Sequence, residues 1–277
     1  SPTDPIAALA ILKQFGLPKR LDAIISGESL FNDGVGVVLF TIGLAMVAGV
    51  QEPTASGAFF LFAREVLGGI GLGLMVGLLM HHMLLRTRDY PIQLLITLSS
   101  VALGYAVAED VEVSGPIAMV VAGLLFGNLT KPRFSEAATR SLTIFWHGIE
   151  EILTALLFVM IGLSVVVVHS VSWSHFAIIA TAAIIVCLVA RAVNVYVAIA
   201  PLNRAGIMIA NWWGLTRLLT WGGLRGGISV ALALSLPTSL DYWWTIQSIA
   251  FGVVLFTLLV QATTMASVIQ RFRDKNI

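Results

Sequence analysis

Long apolar runs, each about as long as a lipid bilayer is thick, constrain this chain more than any other feature. About 20 apolar residues suffice for a helix to cross a ~30 Å hydrocarbon core, where only helices and closed barrels satisfy their own backbone groups. Runs separated by Gly, Pro and charged clusters give about nine segments. They are Pro5–Phe15 (short), Leu21–Val50, Phe59–Leu85, Ile92–Val107, Gly115–Gly127 (short), Ser141–Val168, Ser174–Ala200, Leu215–Leu236 and Tyr242–Ile269. Composition agrees: 58% of the chain is apolar and 11% charged, against about 25% charged in an average soluble domain. The pattern predicts an all-α polytopic membrane protein forming one membrane domain over 1–277, with lipid as its surroundings.

The net charge of +1 and the thin spread of basic residues give no footing for nucleic acid. The single cysteine, Cys187, lies in an apolar run, which excludes a disulfide framework and any cysteine-based metal spacing. Basic residues instead set orientation. Lys13, Lys19 and Arg20, then Arg86 and Arg88, then Lys131, Arg133 and Arg140, then Arg204, then Arg271, Arg273 and Lys275 occupy every other connection and the tail. The alternate connections, Gln51–Ala58, Ala108–Ser114, His169–Trp173 and Pro237–Asp241, contain neither Lys nor Arg. The basic side, including the C-terminus, is therefore expected to be cytoplasmic. The chain does not begin with Met and its first residues already read as functional sequence, so an earlier stretch is expected.

Ionisable groups at membrane depth are costly, which makes them informative. The run Gly27-Glu28-Ser29-Leu30-Phe31-Asn32-Asp33 lies inside the second segment. On a helix Glu28 pairs with Asn32 and Ser29 with Asp33 at four-residue spacing, so the four polar groups share a face. Counting about 1.5 Å per residue from Arg20 places Asp33 roughly 20 Å along, past the middle of the bilayer core once tilt is allowed. Two carboxylates, an amide and a hydroxyl form a hard-oxygen set suited to Na⁺ or Li⁺. The plainer reading is a polar seam between helices, though a seam seldom needs two acids.

Three other features stand at comparable depth. In Ser1-Pro2-Thr3-Asp4-Pro5, Pro5 lacks an N–H and disfavours helix at Asp4, so a helix begins here, and Lys13 marks the cytoplasmic end about ten residues on. Thr3 and Asp4 then fall near mid-membrane, as in the discontinuous helices of transporters; the alternative is a simple cap at the membrane surface. In Trp221–Pro237, Arg225 is flanked by two glycine pairs that permit close approach or unwinding, and it needs an acidic partner, for which Glu28 and Asp33 are at the right level. Glu150 and Glu151 lie about as far from the cytoplasmic side as Arg191, which predicts a structural ion pair between antiparallel neighbours. His81, His82 and His147 read as interfacial or packing residues.

Taken in order, Thr3-Asp4-Pro5, Glu28-Ser29 with Asn32-Asp33, Phe145-Trp146 through Glu150-Glu151 to Gly162-Leu163, and Gly223-Leu224-Arg225-Gly226-Gly227 resemble the NhaP/NHE-type branch of the monovalent cation:proton antiporters, the sodium/hydrogen exchanger family. The resemblance covers essentially the whole chain. It implies a thirteen-helix fold of two inverted repeats, with broken helices crossing at mid-membrane. The nine segments would be the fifth to thirteenth helices, and the first four, with much of the usual homodimer contact, would lie before Ser1. It further implies that Asp33 carries the cation or the proton, that Asn32, Ser29, Asp4 and Thr3 help coordinate the ion, and that Glu28 pairs with Arg225. Na⁺ and H⁺ would be transported species, with no cofactor, across the plasma or inner membrane. Electrogenic relatives carry two adjacent aspartates where this chain has Asn32-Asp33, which implies one-for-one electroneutral exchange. A K⁺/H⁺ antiporter is the main competitor within the family. A cation channel or a membrane scaffold is the rival from outside it. An intramembrane enzyme is disfavoured by the lack of an HExxH pair or a GxSG nucleophile.

Overall fold

The computed structural model describes residues 19–49, 54–167, 173–204 and 212–273, and every regular element among them is helical. The helices are α1 (Lys19–Val47), α2 (Ala55–Leu85), α3 (Tyr90–Asp110), α4 (Gly115–Leu125), α5 (Glu136–Val167), α6 (Trp173–Arg204), α7 (Trp212–Trp221), α8 (Gly227–Leu234), α9 (Trp243–Phe256) and α10 (Ala262–Arg273). Six stretches among the described residues are long and apolar enough to cross a membrane: Ile24–Val47, Ala55–Leu85, Tyr90–Asp110, Glu136–Met160, Ala177–Pro201 and Trp243–Arg271. Their outer faces carry apolar side chains that water would not tolerate in such density, such as Phe60, Leu67, Ile178 and Val186. The chain is a multi-pass membrane protein.

The expected first segment, with Thr3 and Asp4, lies outside the described residues. The structure amends the sequence reading at two places. The fifth segment is an α-helix of 11 residues, too short to span alone, which runs on through a π-helical turn at Phe126–Thr130 and a 3₁₀ turn at Lys131–Arg133. The eighth is interrupted: α7 ends at Trp221, the backbone from Gly223 to Gly226 is non-helical, and α8 begins at Gly227.

The residues fall into two compact units, one of Leu30–Leu156 and one of the described residues up to Ser29 and from Leu157 onward. In the first, Gly69, Gly73 and Gly77 form a stripe along α2 at four-residue spacing. A Cβ at Gly73 would lie 2.4 Å from the Ala118 carbonyl oxygen, and one at Gly69 would lie 2.9 Å from that of Ser114. Only glycine lets α4 approach this closely, the usual means by which membrane helices gain packing where lipid is as apolar as leucine. Ser114 caps α4 by accepting from the Ile117 N–H at 3.3 Å. Leu72, Ala108 and Ala118 close the centre of this unit.

In the second unit, Ile25 of α1 packs with Val195 and Ile199 of α6, Leu215, Leu218 and Leu219 of α7, and Met265 and Ile269 of α10. A smaller cluster joins Val230 and Ala233 of α8 to Phe251 and Val254 of α9. Between α9 and α10 the last span contains a π-helical turn, Thr257–Gln261.

Candidate functional site

α1 is helical throughout Lys19–Val47, so Glu28, Ser29, Asn32 and Asp33 lie on one uninterrupted helix. Ser29 is buried, and Glu28, Asn32 and Asp33 are half-buried. The division between the two units falls within α1, just after Ser29, so Glu28 and Ser29 belong to one unit and Asn32 and Asp33 to the other. On the Asp33 side, Gly34 lies against α4, where an added Cβ would meet Ile117 Cγ1 at 3.1 Å.

Glu28 is held by Arg191 of α6. Arg191 Nη1 donates to Glu28 Oε1 and Nη2 donates to Oε2 at 2.8 Å, a two-pronged pairing of guanidinium and carboxylate. Arg191 is 7% exposed and the Glu28 side chain 32%, so a buried cation is neutralised by a partly exposed acid. The same guanidinium donates to the Leu219 carbonyl oxygen, from Nε at 3.3 Å and from Nη2 at 3.1 Å. That carbonyl belongs to the last turn of α7, where the helix ends without successors to bond it.

This arrangement corrects one expected pairing. Glu28 pairs with Arg191, not with Arg225. Arg191 commits its donors to Glu28 and Leu219, while Glu150 and Glu151 belong to the other unit. Those two acids are exposed in their own unit and flank His147 of the same helix, with Glu150 Oε2 3.5 Å from Nδ1 and Glu151 Oε1 3.7 Å from Nε2. The physical reason is that counting residues along a helix gives no azimuth, and only packing decides which helices are neighbours.

The interruption after α7 is built from glycine and closed by the last span. A Cβ at Gly223 would lie 2.6 Å from Arg191 Nε, and one at Gly227 would lie 2.3 Å from Leu157 Cδ1, so side chains are excluded at both ends of the unwound stretch. Its orphaned backbone groups find partners on the π-helical turn. The Arg225 N–H donates to Thr257 Oγ1 at 3.2 Å, and Gln261 Nε2 donates to the Trp221 carbonyl at 3.3 Å. Trp221 Nε1 donates to Thr264 Oγ1 at 2.9 Å. Arg225 itself is buried, 8% exposed, at the centre of this break.

Thr257, Gln261 and Thr264 are the residues that sequence reasoning missed. The signal was present: they recur at four- and three-residue spacing, one polar stripe on an otherwise apolar span. Such a stripe inside a membrane needs polar partners, and an unwound neighbour supplies them. Among the described residues no group of three or more His, Cys, Asp or Glu is arranged to hold a metal ion.

Comparison with known proteins places these features in context. A family model described as the transmembrane part of sodium/hydrogen exchangers matches residues 1–271. The chain is 43% identical over 273 residues to the Na(+)/H(+) antiporter NhaP of Pseudomonas aeruginosa, covering 98% of this chain and 64% of that protein. It is 34% identical over 276 residues to the Na(+)/H(+) antiporter NhaH of Halobacillus aidingensis, covering 98% and 66%. It is 31% identical over 282 residues to sodium/hydrogen exchanger 8 of Arabidopsis thaliana, covering 95% and 36%. The chain thus spans less than two thirds of the length of each of these relatives.

Proposed function

Because the chain belongs to the sodium/hydrogen exchanger family, we propose that it forms the ion-handling part of an antiporter that exchanges Na⁺, or Li⁺, for H⁺ across the plasma or inner membrane. The observation that carries the reading is the commitment of Glu28 to Arg191. With that charge neutralised, Asp33 is the acid of the Glu28–Asp33 run that takes either a proton or a cation. Asn32, Ser29, Asp4 and Thr3 complete a hard-oxygen shell around the cation. Na⁺ and H⁺ compete at Asp33, and if only a loaded site reorients across the membrane, the two fluxes are coupled without any further device.

Asn32 coordinates but does not release a proton, so one Na⁺ displaces one H⁺ and the exchange is electroneutral. In this reading the nine segments are the C-terminal part of a thirteen-helix inverted-repeat fold, the C-terminus is cytoplasmic, and the whole protein is a homodimer in lipid. The unwound stretch around Arg225 is one of the two broken helices, the other starting at Asp4. The test is proton flux driven by Na⁺, Li⁺ and K⁺ in proteoliposomes containing the full-length protein. Saturable, Na⁺-driven countertransport is expected. Activity with K⁺ alone would transfer the assignment to K⁺/H⁺ exchange, and ion current without countertransport would make the protein a channel.

A further inference from the structure

Beside the break, between α6, α7 and the last span, lies a void of about 10 Å³, close to the smallest space that holds the centre of one water molecule. Its wall includes Cys187, Arg191, Thr220, Arg225 and Gln261. Two polar atoms of that wall, Thr220 Oγ1 and Gln261 Oε1, are buried and make no hydrogen bond among the described residues. Gln261 is 1% exposed, so bulk water does not reach its carbonyl oxygen. The amide cannot relieve this by turning over, because its Nε2 is the donor to the Trp221 carbonyl.

The chemistry of the wall selects the occupant. A cation would find no Asp or Glu among the residues that line the void. An anion would face the Gln261 carbonyl oxygen, and turning the amide to receive it would strand the Trp221 carbonyl at the end of α7. A small neutral molecule with two donors and two acceptors meets every requirement, and buried water commonly serves otherwise unsatisfied groups in this way. We infer that one water molecule is bound in this void, donating to Gln261 Oε1 and hydrogen-bonding to Thr220 Oγ1. It is a third link between α7 and the last span, beside the Gln261–Trp221 and Trp221–Thr264 bonds. The inference does not depend on which ions are exchanged.

The test uses the full-length protein in detergent, comparing the melting temperatures of Thr220→Val, Gln261→Leu and the double variant. Each single change leaves the other polar atom and the water short of a partner, Gln261→Leu also losing the bond to Trp221, and a fall of about 1–3 °C per substitution is expected for the longer full-length protein. The double variant should fall by less than the sum of the singles. Strictly additive losses would overturn the inference. A structure at a resolution that shows waters gives the second measurement. One density peak within hydrogen-bond reach of both atoms is the expected result. A dry void, or a direct Thr220–Gln261 hydrogen bond, would overturn it. So would stabilisation by chloride over gluconate at equal ionic strength that disappears in Thr220→Val, which would make the occupant an anion.

Discussion

Arg191 reaches across 163 positions of sequence to hold both carboxylate oxygens of Glu28, and with the same planar group it bonds the Leu219 carbonyl at the end of α7. One side chain therefore ties α1, α6 and the start of the unwound stretch together. A guanidinium suits this task because it stays charged and presents its donors in a fixed fork. A lysine would have to choose between the carboxylate and the carbonyl.

The first prediction tests that pairing. Removing one member of a buried ion pair typically costs about 3–5 kcal/mol, and the partial exposure of Glu28 puts this case toward the low end. Glu28→Ala and Arg191→Ala should each lower thermal stability in detergent, and the double variant should be less harmed than their sum. Glu28→Ala combined with Arg225→Ala should show markedly weaker coupling. Coupling of Glu28 to Arg225 rather than to Arg191 in a double-mutant cycle would refute the assignment.

The second concerns Asp33. Asparagine preserves the shape of the side chain and removes its ability to exchange a proton. Asp33→Asn should abolish Na⁺-driven proton flux by the full-length protein in proteoliposomes while expression, insertion and melting temperature stay near those of the parent. Flux at the parent rate would sink the proposed role.

A third prediction sets two glycines against each other. A Cβ at Gly223 would press on Arg191 Nε, and that side chain has little room to yield because Glu28 and Leu219 pin it. Gly223→Ala should destabilise by roughly 1–3 kcal/mol, the usual penalty of overpacking. A Cβ at Gly71, on exposed helix surface, meets nothing within 4 Å. Gly71→Ala should be neutral, or gain up to about 1 kcal/mol from helix propensity. Equal melting temperatures for the two variants would mean that the contact with Arg191 does not constrain the break.

The fourth addresses stoichiometry. With Asn32 beside Asp33, exchange by the full-length protein should be indifferent to an imposed membrane potential at fixed ion gradients. Asp4 is the weak point, since a second titrating acid in the site would raise the count to two protons. Rates that change with voltage would rule out one-for-one exchange, and Asn32→Asp offers the reciprocal test, expected to introduce voltage dependence.

Much of this was legible in the residues, for reasons that also explain what was not. The spans of α1, α2, α3, α5 and α6 announced themselves because lipid demands unbroken apolar length, and their helix ends fell within about five residues of the expected ones. The interruption near Arg225 was signalled by the glycine pairs around it. The partner of Glu28 was not. Counting residues from a helix end gives only an expected depth in the bilayer, and it is the packing of α6 against α1 and α7 that brings Arg191 to Glu28. The π-helical turn was invisible for a different reason: it adds hydrogen bonds of unusual span without altering the apolar character of Thr257–Gln261 beyond two polar residues.

That turn makes the last span respond differently to the loss and the gain of a residue. Each residue of an α-helix advances the next by about 100°, whereas a single π turn takes in one extra residue and hands on nearly the same facing direction. Deleting one apolar residue between Thr257 and Gln261 would let the span relax to a regular helix that still presents Thr264, Met265 and Ile269 to α7. An insertion has no such outlet. It would rotate those three residues by about 100°, breaking the bond to Trp221 and withdrawing two side chains that are 0% exposed in the core. A hydropathy profile would not register the change, so insertions in this stretch belong among the disabling ones even where the segment still looks long enough to cross the bilayer.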